Sequence, residues 1–521
     1  MRRPNILMVM CDQLAAPILA LHGGPMNQTP HLDRLAERGL VFDKAYTASP
    51  LCAPARFSMM AGQLASRIGA WDNAAEFRSE IPTFAHYLRL AGYRTCLAGK
   101  MHFVGADQLH GFEERITTDI YPADFGWVPD WTRPDERIDW WYHTILSVVQ
   151  AGVAEQTNQL LFDDETAFQA ERRLFELARD AHEKPFFLCV SYTHPHDPYA
   201  CRQEHWDRFA HDDIPLPRVT IPYAAMDPHS RRLHLIPDIS KYAMTEERVR
   251  NARHGYFGST AYVDDRLGAL LRVLDLTGRA EDTVVVFTGD HGDLLGERGL
   301  WFKMCWYEMA ARVPLVLSFP GNVAVGRVGA PVTLMDLLPT FVDIATDGKG
   351  VELAAPIDGT SLFDIAADAN APSERMIAGD YFGEGTVAPL VMLRQDRWKF
   401  VRQPGHDDQL FDLEADPDEL ANLASNPAQA AVVARFDAEA KARWDMDALT
   451  RQVLESQARR RLVFQASMTG KHTSWDHQPR DDASLRYMRN HLDLNVLEAQ
   501  TRVPPPADVK PDGPGVIEPK T

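Results

Sequence analysis

Cysteine is scarce in this sequence. The 521 residues hold six, at positions 11, 52, 96, 189, 201 and 305, and no two form a CxxC pair. Several sit inside apolar runs, which argues against a disulfide framework and for a reducing compartment. Long hydrophobic runs are missing too, since no stretch approaches the roughly 20 apolar residues that a spanning helix needs. The first residues, MRRPNILMVMCDQ, pair two arginines with an apolar run, as a signal peptide does. That run is short, Asp12 breaks it, and no small-residue cleavage site follows. A cytoplasmic protein is therefore expected. Positive charge is also in deficit: 54 Lys and Arg stand against 73 Asp and Glu, a formal net charge of -19. That balance argues against nucleic acid or an anionic membrane surface as partner. An acidic chain that handles an anion must concentrate its positive charge locally. Internal repeats are absent.

What the chain does have is apolar content, 45% of its residues, enough for one large domain and a smaller one. Short apolar runs alternate with helical patterns, which predicts an α/β fold with a large, mostly parallel sheet. Strands are expected at Asn5–Met10, Tyr93–Ala98, Phe186–Tyr192, Thr283–Thr288 and Pro314–Phe319. Thr29 is placed to cap PHLDRLAERG, with Pro30 at the first helical position and Gly39 as the stop. PTFAHYLRLAG, ETAFQAERRLFELARDA and HGYFGSTAYVDDRLGALLRVLDLTG have helical spacing, and Thr333 opens another helix. After about residue 375 the pattern becomes that of a small antiparallel sheet and then a helical pair. The expected division is 1–374 for the catalytic domain, 375–447 for a small α+β subdomain and 448–500 for a tail. The Pro-rich stretch 501–521 is expected to be disordered.

Ligands of parallel sheets bind beyond the carboxyl ends of the strands. The first expected strand delivers Asp12 and Gln13, and the second GKMH, with Lys100 and His102. The third delivers THPHDP, with His194 and His196, and the fourth GDHGD, with Asp290 and His291. Lys303 follows shortly in GLWFKM. Any one of these could be a cap or a turn. Four strand ends bearing carboxylates, imidazoles and ammonium groups together read as a metal and anion site. Carboxylates, a carboxamide and an imidazole suit a hard or borderline dication, Ca²⁺, Mg²⁺ or Mn²⁺. Lys100, Lys303 and Arg56 would neutralise anionic oxygens beside it.

Cys52-Ala-Pro-Ala-Arg56, followed by Met60-Ala-Gly62, resembles the sulfatase signature C-x-P-x-R-x-x-x-M/L-x-G. The N-terminal Asp12, GKMH, THPH, DHGD and LFDLEADPDELANLA occur in that family's order. The resemblance implies an alkaline-phosphatase-like fold and a sulfuric ester hydrolase. It also implies that a formylglycine-generating enzyme oxidises Cys52 to formylglycine (3-oxoalanine), whose hydrate is the nucleophile. One hydroxyl attacks sulfur; loss of the proton from the other then expels sulfate, an exit that serine lacks. By the same resemblance Asp12, Gln13, Asp290 and His291 hold one divalent metal, Ca²⁺ foremost, with the oxidised Cys52. Arg56 and Lys100 steady the nucleophile and the sulfate, and His102 is the base. His194 and Lys303 contact the sulfate or protonate the leaving oxygen.

SPLCAPAR, DNAAEF, ERIDWWYH, GERGLWFKM, SWDHQP and RYMRNH, with the long stretch from GKMHFVGADQ to PADFGW, resemble the choline-sulfatase branch of that family. A small alkyl sulfate, choline-O-sulfate first, is the implied substrate. A quaternary ammonium needs π faces and carboxylates, and Trp127, Trp131, Trp140 and Trp141 are candidates for the faces. Trp127 is the expected wall, Glu384 the counter-charge, and Asn73 and His143 neighbours. Two positions depart from the branch. Thr144 stands where it has Asn, and Asn495 where it has an Asp; Asp493 is near enough in sequence to substitute. Another small sulfate ester, a phosphonate monoester or phosphodiester hydrolase, and a non-enzymatic metal or redox protein stay open. In the branch the C-terminal tail reaches a neighbouring subunit and closes its pocket, so a homo-oligomer, dimer or tetramer, is implied; a helix pair packed on its own subunit is the alternative.

Overall fold

The computed structural model describes residues 3–503 apart from 134–135, 137–142, 181–183, 322, 369–370, 481 and 486–492. Trp140, Trp141, the RYMRNH stretch and 504–521 therefore lie outside the described residues, as does the side chain of Asn495.

Eight strands form the central sheet: β1 (Asn5–Asp12), β2 (Gly39–Tyr46), β3 (Arg94–Gly99), β4 (Glu114–Arg115), β5 (Phe186–Pro195), β6 (Thr283–Gly289), β7 (Leu315–Ser318) and β8 (Gly326–Thr333). Their order is β8-β2-β7-β6-β1-β5-β3-β4. Every neighbouring pair is parallel except the two that β7 makes, with β2 and with β6. All residues of β1 and β5 are buried, as expected of central strands covered on both faces. The pleat of β1 sends Leu7, Val9 and Cys11 into one core and Ile6, Met8 and Met10 into the other. Helices α1 (Pro30–Ala36), α2 (Cys52–Ala61), α3 (Phe84–Leu90), α4 (Asn158–Asp180), α5 (Glu246–Leu276) and α6 (Leu337–Thr346) supply the two layers. Residues of α1, α4 and α5 build the first core, and those of α2, α3 and α6 the second.

Two local expectations are corrected. Thr29 makes no side-chain cap on α1. The first-turn N–H groups of His31 and Leu32 donate instead to the Asp264 carboxylate of α5, at 3.0 and 2.8 Å, a long-range partner that a local motif cannot reveal. Gly39 does not merely end a helix but begins β2, where a Cβ would lie 2.4 Å from the Leu317 carbonyl oxygen. Strands β2 and β8 escape the hydrophobic pattern because Asp43, Lys44 and Arg327 interrupt it.

Beyond the sheet, β9 (Met376–Tyr381), β10 (Leu390–Gln395), β11 (Trp398–Arg402) and β12 (Gln409–Asp412) form an antiparallel meander. Helices α7 (Ala430–Arg443) and α8 (Met446–Ser467) follow. Phe436 of α7 stacks on Phe400, with ring centroids 5.7 Å apart. The fully buried Lys399 of β11 pairs with Glu308 at 2.8 Å and Glu419 at 2.6 Å. Burial opposes its charge, but the two carboxylates hold its pKa above the usual lysine value. All six cysteines are buried thiols. Among the described residues no helix is long and apolar enough to cross a membrane.

Candidate active site

The adjacent parallel strands β6, β1, β5 and β3 end on one rim of the sheet, and their last residues converge there. The register of β1 shifts between Cys11 and Asp12, and Gln13 leaves it in the left-handed region, φ 65°. Asp290 and His291 follow β6, Lys100 and His102 follow β3, and His194 and His196 lie at the end of β5. Cys52 is the first residue of α2. One ligand atom each from Asp12, Cys52, Asp290 and His291, all buried, lies within 4.8 Å of the others. The Cys52 Sγ is 3.7 Å from Asp12 Oδ1 and 3.3 Å from His291 Nε2. His291 spends its Nδ1 proton on the Gly292 carbonyl at 3.0 Å, which leaves the Nε2 lone pair in the cluster. Burial lowers its pKa to about 3, so the ring is neutral, as a ligand must be. Burial would raise Asp290, but the guanidinium of Arg56 holds it well below the carboxylate range. The donor set is thus two carboxylates, an imidazole and residue 52, and it fits a hard or borderline dication.

Burial also pushes the Cys52 thiol up to about 12. Burial by itself thus favours the protonated form of an unmodified Cys52 thiol.

Cations surround the cluster. Arg56, fully buried, donates to Asp290 Oδ2 at 2.8 Å, the Lys100 carbonyl at 2.6 Å and Ser191 Oγ at 2.8 Å. Lys100 pairs with Asp12 and lies 4.2 Å over the Tyr121 ring; burial brings its pKa down to about 7. Lys303 sits between two left-handed residues, Phe302 and Met304. Its ammonium donates to Gln13 Oε1 and, at 3.0 Å, to His196 Nε2. Gln13 also donates from Nε2 to Asp293 at 2.6 Å and from its backbone to Asp290 Oδ1 at 3.0 Å. Its amide oxygen thus accepts from Lys303.

The two histidines of THPH part company. His194 turns its Nδ1 to Asp163 at 2.6 Å and its ring against Tyr262. His196 donates from Nδ1 to the Asp197 carbonyl at 2.8 Å and receives Lys303 on Nε2. The family pattern points to His194 for the sulfate; the geometry joins His196 to Lys303. His102, left-handed at φ 58°, has no hydrogen-bond partner on either ring nitrogen among the described residues. Burial, then Lys100, draws its pKa well below the usual value. Its backbone N–H donates to Asp119 Oδ2 at 2.9 Å. The ring meets Tyr121 and Trp127 at centroid distances of 4.9 and 5.6 Å. Asp119 and Tyr121 lie in the stretch that resembles the choline-sulfatase branch, but the sequence reading gave neither a role, because both act through long-range contacts with Lys100 and His102.

Of the residues expected around the alcohol, Trp127 stands edge-on to His102. His143 stacks between Phe302 and His196, at 4.6 and 5.4 Å. Asn73 Oδ1 accepts the Ala53 N–H at 3.0 Å, so its amide caps the helix that begins with Cys52. Thr144 bonds within its own turn, accepting the Leu146 N–H on Oγ1 at 3.4 Å. Glu384 is buried, with Oε2 unpartnered among the described residues. Burial raises its pKa to about 7, and it lies within electrostatic reach of Cys52 and Lys303.

The family model described as Sulfatase matches residues 4–347. The chain belongs to the sulfatase family: it is a sulfuric ester hydrolase with an alkaline-phosphatase-like fold. Within that family it is 49% identical over 511 residues to a choline-sulfatase of Rhizobium meliloti (strain 1021), covering 96% of this chain and 99% of the relative. A model described as choline sulfatase enzyme C terminal matches residues 451–503. An arylsulfatase of Clostridium perfringens (strain 13 / Type A) is 28% identical over 446 residues, 81% of this chain and 91% of the relative. Among solved structures, a phosphonate monoester hydrolase from Silicibacter pomeroyi superposes with a TM-score of 0.68 at 23% identity, over 84% of this chain and 94% of that one; it shares the fold. Sulfatases as a family use a metal and formylglycine, and the buried cluster at Asp12, Cys52, Asp290 and His291 suits both.

Proposed function

We propose that the protein hydrolyses choline-O-sulfate to choline and sulfate. The observation that carries this reading is the 49% identity to a choline-sulfatase over nearly the whole of both chains. The buried carboxyl oxygen of Glu384, unpartnered among the described residues, and the indole of Trp127 support it, because a quaternary ammonium is recognised by charge and π faces. A divalent metal, Ca²⁺ foremost with Mg²⁺ and Mn²⁺ as alternatives, would be held by Asp12, Gln13, Asp290, His291 and residue 52, and supplies Lewis-acid stabilisation of oxygen charge. Formylglycine at residue 52, installed by a formylglycine-generating enzyme, supplies the oxygen nucleophile.

The chain's own side chains do the rest. Arg56 keeps Asp290 ionised, Lys100 pairs with Asp12, and the two cations are set against the sulfate. His102, held neutral, accepts a proton on an open ring nitrogen. Lys303 and His196 form one hydrogen-bonded pair for the sulfate or the leaving oxygen, with His194 behind them on Asp163. Asn73, His143, Thr144 and Asn495 belong to the surroundings of the choline end. The division into 1–374, 375–447 and 448–500, a cytoplasmic location and a dimeric or tetrameric assembly are parts of the same proposal. Two measurements test it. The peptide containing residue 52 should have the mass of formylglycine in active protein, and an intact cysteine there would overturn that part. Choline-O-sulfate should have a higher kcat/KM than an aryl sulfate or the phosphate and phosphonate esters of choline; the reverse order would overturn the substrate.

A further inference from the structure

A cavity of about 440 Å³ lies between the short helix Pro228–Leu235, residues 305–307 and the antiparallel meander. That volume falls in the range of small-molecule sites, about 300–1,000 Å³, and none of the residues lining it belongs to the site at Cys52. Its chemistry is one-sided. Asp227, Asp407 and Glu419 line it, and among the described residues no Lys or Arg does. Glu419 is already paired with Lys399. Asp227 accepts the Ser230 N–H and the Tyr307 hydroxyl, both at 3.0 Å, bonds that orient the carboxylate without neutralising it. Two buried lining side chains present acceptors with nothing to accept. His229 donates from Nε2 to the Met304 carbonyl at 2.8 Å, so Nδ1 carries a lone pair, and that atom has no partner among the described residues. Gln403 donates its amide N–H to the Thr386 hydroxyl and the Ala388 carbonyl, which leaves Oε1 in the same condition. An unpaired buried acceptor costs about 1–3 kcal/mol, so the cavity lacks a donor. Arg298 already lies 4.1 Å over the Tyr307 ring; Trp306 and Phe411 supply the remaining aromatic surface for a second cation.

Residues 302–307 join this cavity to the catalytic centre. Phe302 and Met304 are both left-handed, at φ 68° and 71°. That conformation costs a bulky residue about 1–3 kcal/mol and persists only where the surroundings impose it. Here His229 holds the Met304 carbonyl, and the Met304 N–H donates to the Pro50 carbonyl at 3.1 Å. Lys303, between the two strained residues, reaches Gln13 and His196. A donor placed on His229 Nδ1 polarises the ring and strengthens its bond to the Met304 carbonyl, because linked hydrogen bonds reinforce one another.

We propose that this cavity is a second ligand site, for a small organic ammonium compound bearing a hydroxyl or N–H donor, and that its occupancy holds Lys303 in place. The ammonium lies against Asp227 and the aromatic rings, and the donor bonds to His229 Nδ1 or Gln403 Oε1. Choline meets that description. Choline-O-sulfate does not, since it has lost the hydroxyl proton and would set its sulfate against Asp227 and Asp407. The site therefore responds to the released alcohol rather than to the ester, a role that alone rests on the choline-O-sulfate reading.

The test is calorimetric titration of choline into the full-length, matured enzyme carrying Glu384→Gln, which weakens the alcohol pocket. Choline should still bind, and adding Asp227→Asn, whose amide oxygen keeps the Ser230 N–H, should weaken that binding about tenfold. Asp407→Asn, at an exposed position, should act in the same direction and guards against a folding defect in the first variant. Betaine, with a carboxylate in place of the hydroxyl, and the uncharged tert-butyl analogue of choline should not bind there. In the Glu384→Gln protein choline should raise kcat/KM for 4-nitrophenyl sulfate about fivefold, the low end of coupling between sites. That rise should vanish when Asp227→Asn is added. Binding that is absent, that betaine matches, or that ignores both aspartate variants would overturn the site. Binding without a change in kcat/KM would overturn the link to Lys303. If the parent enzyme ignores choline-O-sulfate while choline still fills the cavity, the substrate reading falls and the site stands.

Discussion

Glu384→Gln keeps the shape of a buried side chain and removes its ability to ionise. The carboxyl oxygen Oε2 has no hydrogen-bond partner among the described residues, and burial sets its pKa at about 7. A quaternary ammonium about 5 Å from the ionised form gains roughly 3 kcal/mol at an effective dielectric of about 20. At pH 8 the group is already ionised, so most of that gain appears in binding. The variant should then raise KM for choline-O-sulfate by about 10- to 100-fold at pH 8, since about 1.4 kcal/mol is a factor of ten. The sign with pH follows from the direction of the shift. Below pH 7 the carboxyl is protonated, the attraction is lost, and the KM of the parent enzyme rises as pH falls. The variant has nothing there to titrate, so the ratio of the two KM values shrinks by up to about tenfold per unit below pH 7. The assay is sulfate release between pH 5.5 and 8.5 for both proteins, with an alkyl sulfate whose alcohol carries no ammonium in parallel. The reasoning is refuted if KM for the choline ester is unchanged at pH 8, or if the ester without the ammonium suffers equally.

Three further outcomes follow from single contacts. His196→Ala should lower kcat/KM by about 10²- to 10⁴-fold, the range of a proton-transfer partner, and by more than His194→Ala; equal losses in steady-state kinetics would remove the distinction between them. Lys399→Met leaves Glu308 and Glu419 buried against each other and should lower the unfolding free energy by about 3–5 kcal/mol in urea. Asp264, raised by burial to about 7, keeps its proton in the fold at pH values where the unfolded chain has lost it. Its contribution to stability is therefore fully present below about pH 4 and falls as pH rises to 7, by up to about 1.4 kcal/mol per unit. Asp264→Asn should flatten that slope in melts run across the range, and an unaltered slope would show that another group produces it.

Much of this molecule is readable from short stretches of sequence. β1, β3, β5, β6 and β7 are apolar runs bounded by turns, and a strand pattern is a property of neighbouring residues. Once those strands are placed, Asp12, Lys100, His102, Asp290 and His291 fall at their carboxyl ends, and C-x-P-x-R marks the helix that must meet them. Identities alone therefore point to the chemistry of the centre. Geometry over long separations does not follow from them. Nothing local distinguishes His194 from His196; Asp163 and Lys303, from other elements, decide which imidazole meets a carboxylate and which an ammonium. Asp264 replaces Thr29 as the cap of α1 because α5 passes beside it. Cys52 matches the family signature by its motif, but only packing raises its thiol pKa to about 12. Asp119 and Tyr121 acquire their roles from His102 and Lys100, which their loop meets only in the folded chain. Local periodicity and side-chain chemistry determined the elements and the reactive set. Burial and long-range contact, which depend on the whole folded chain, decided which of those groups meet and in which protonation state.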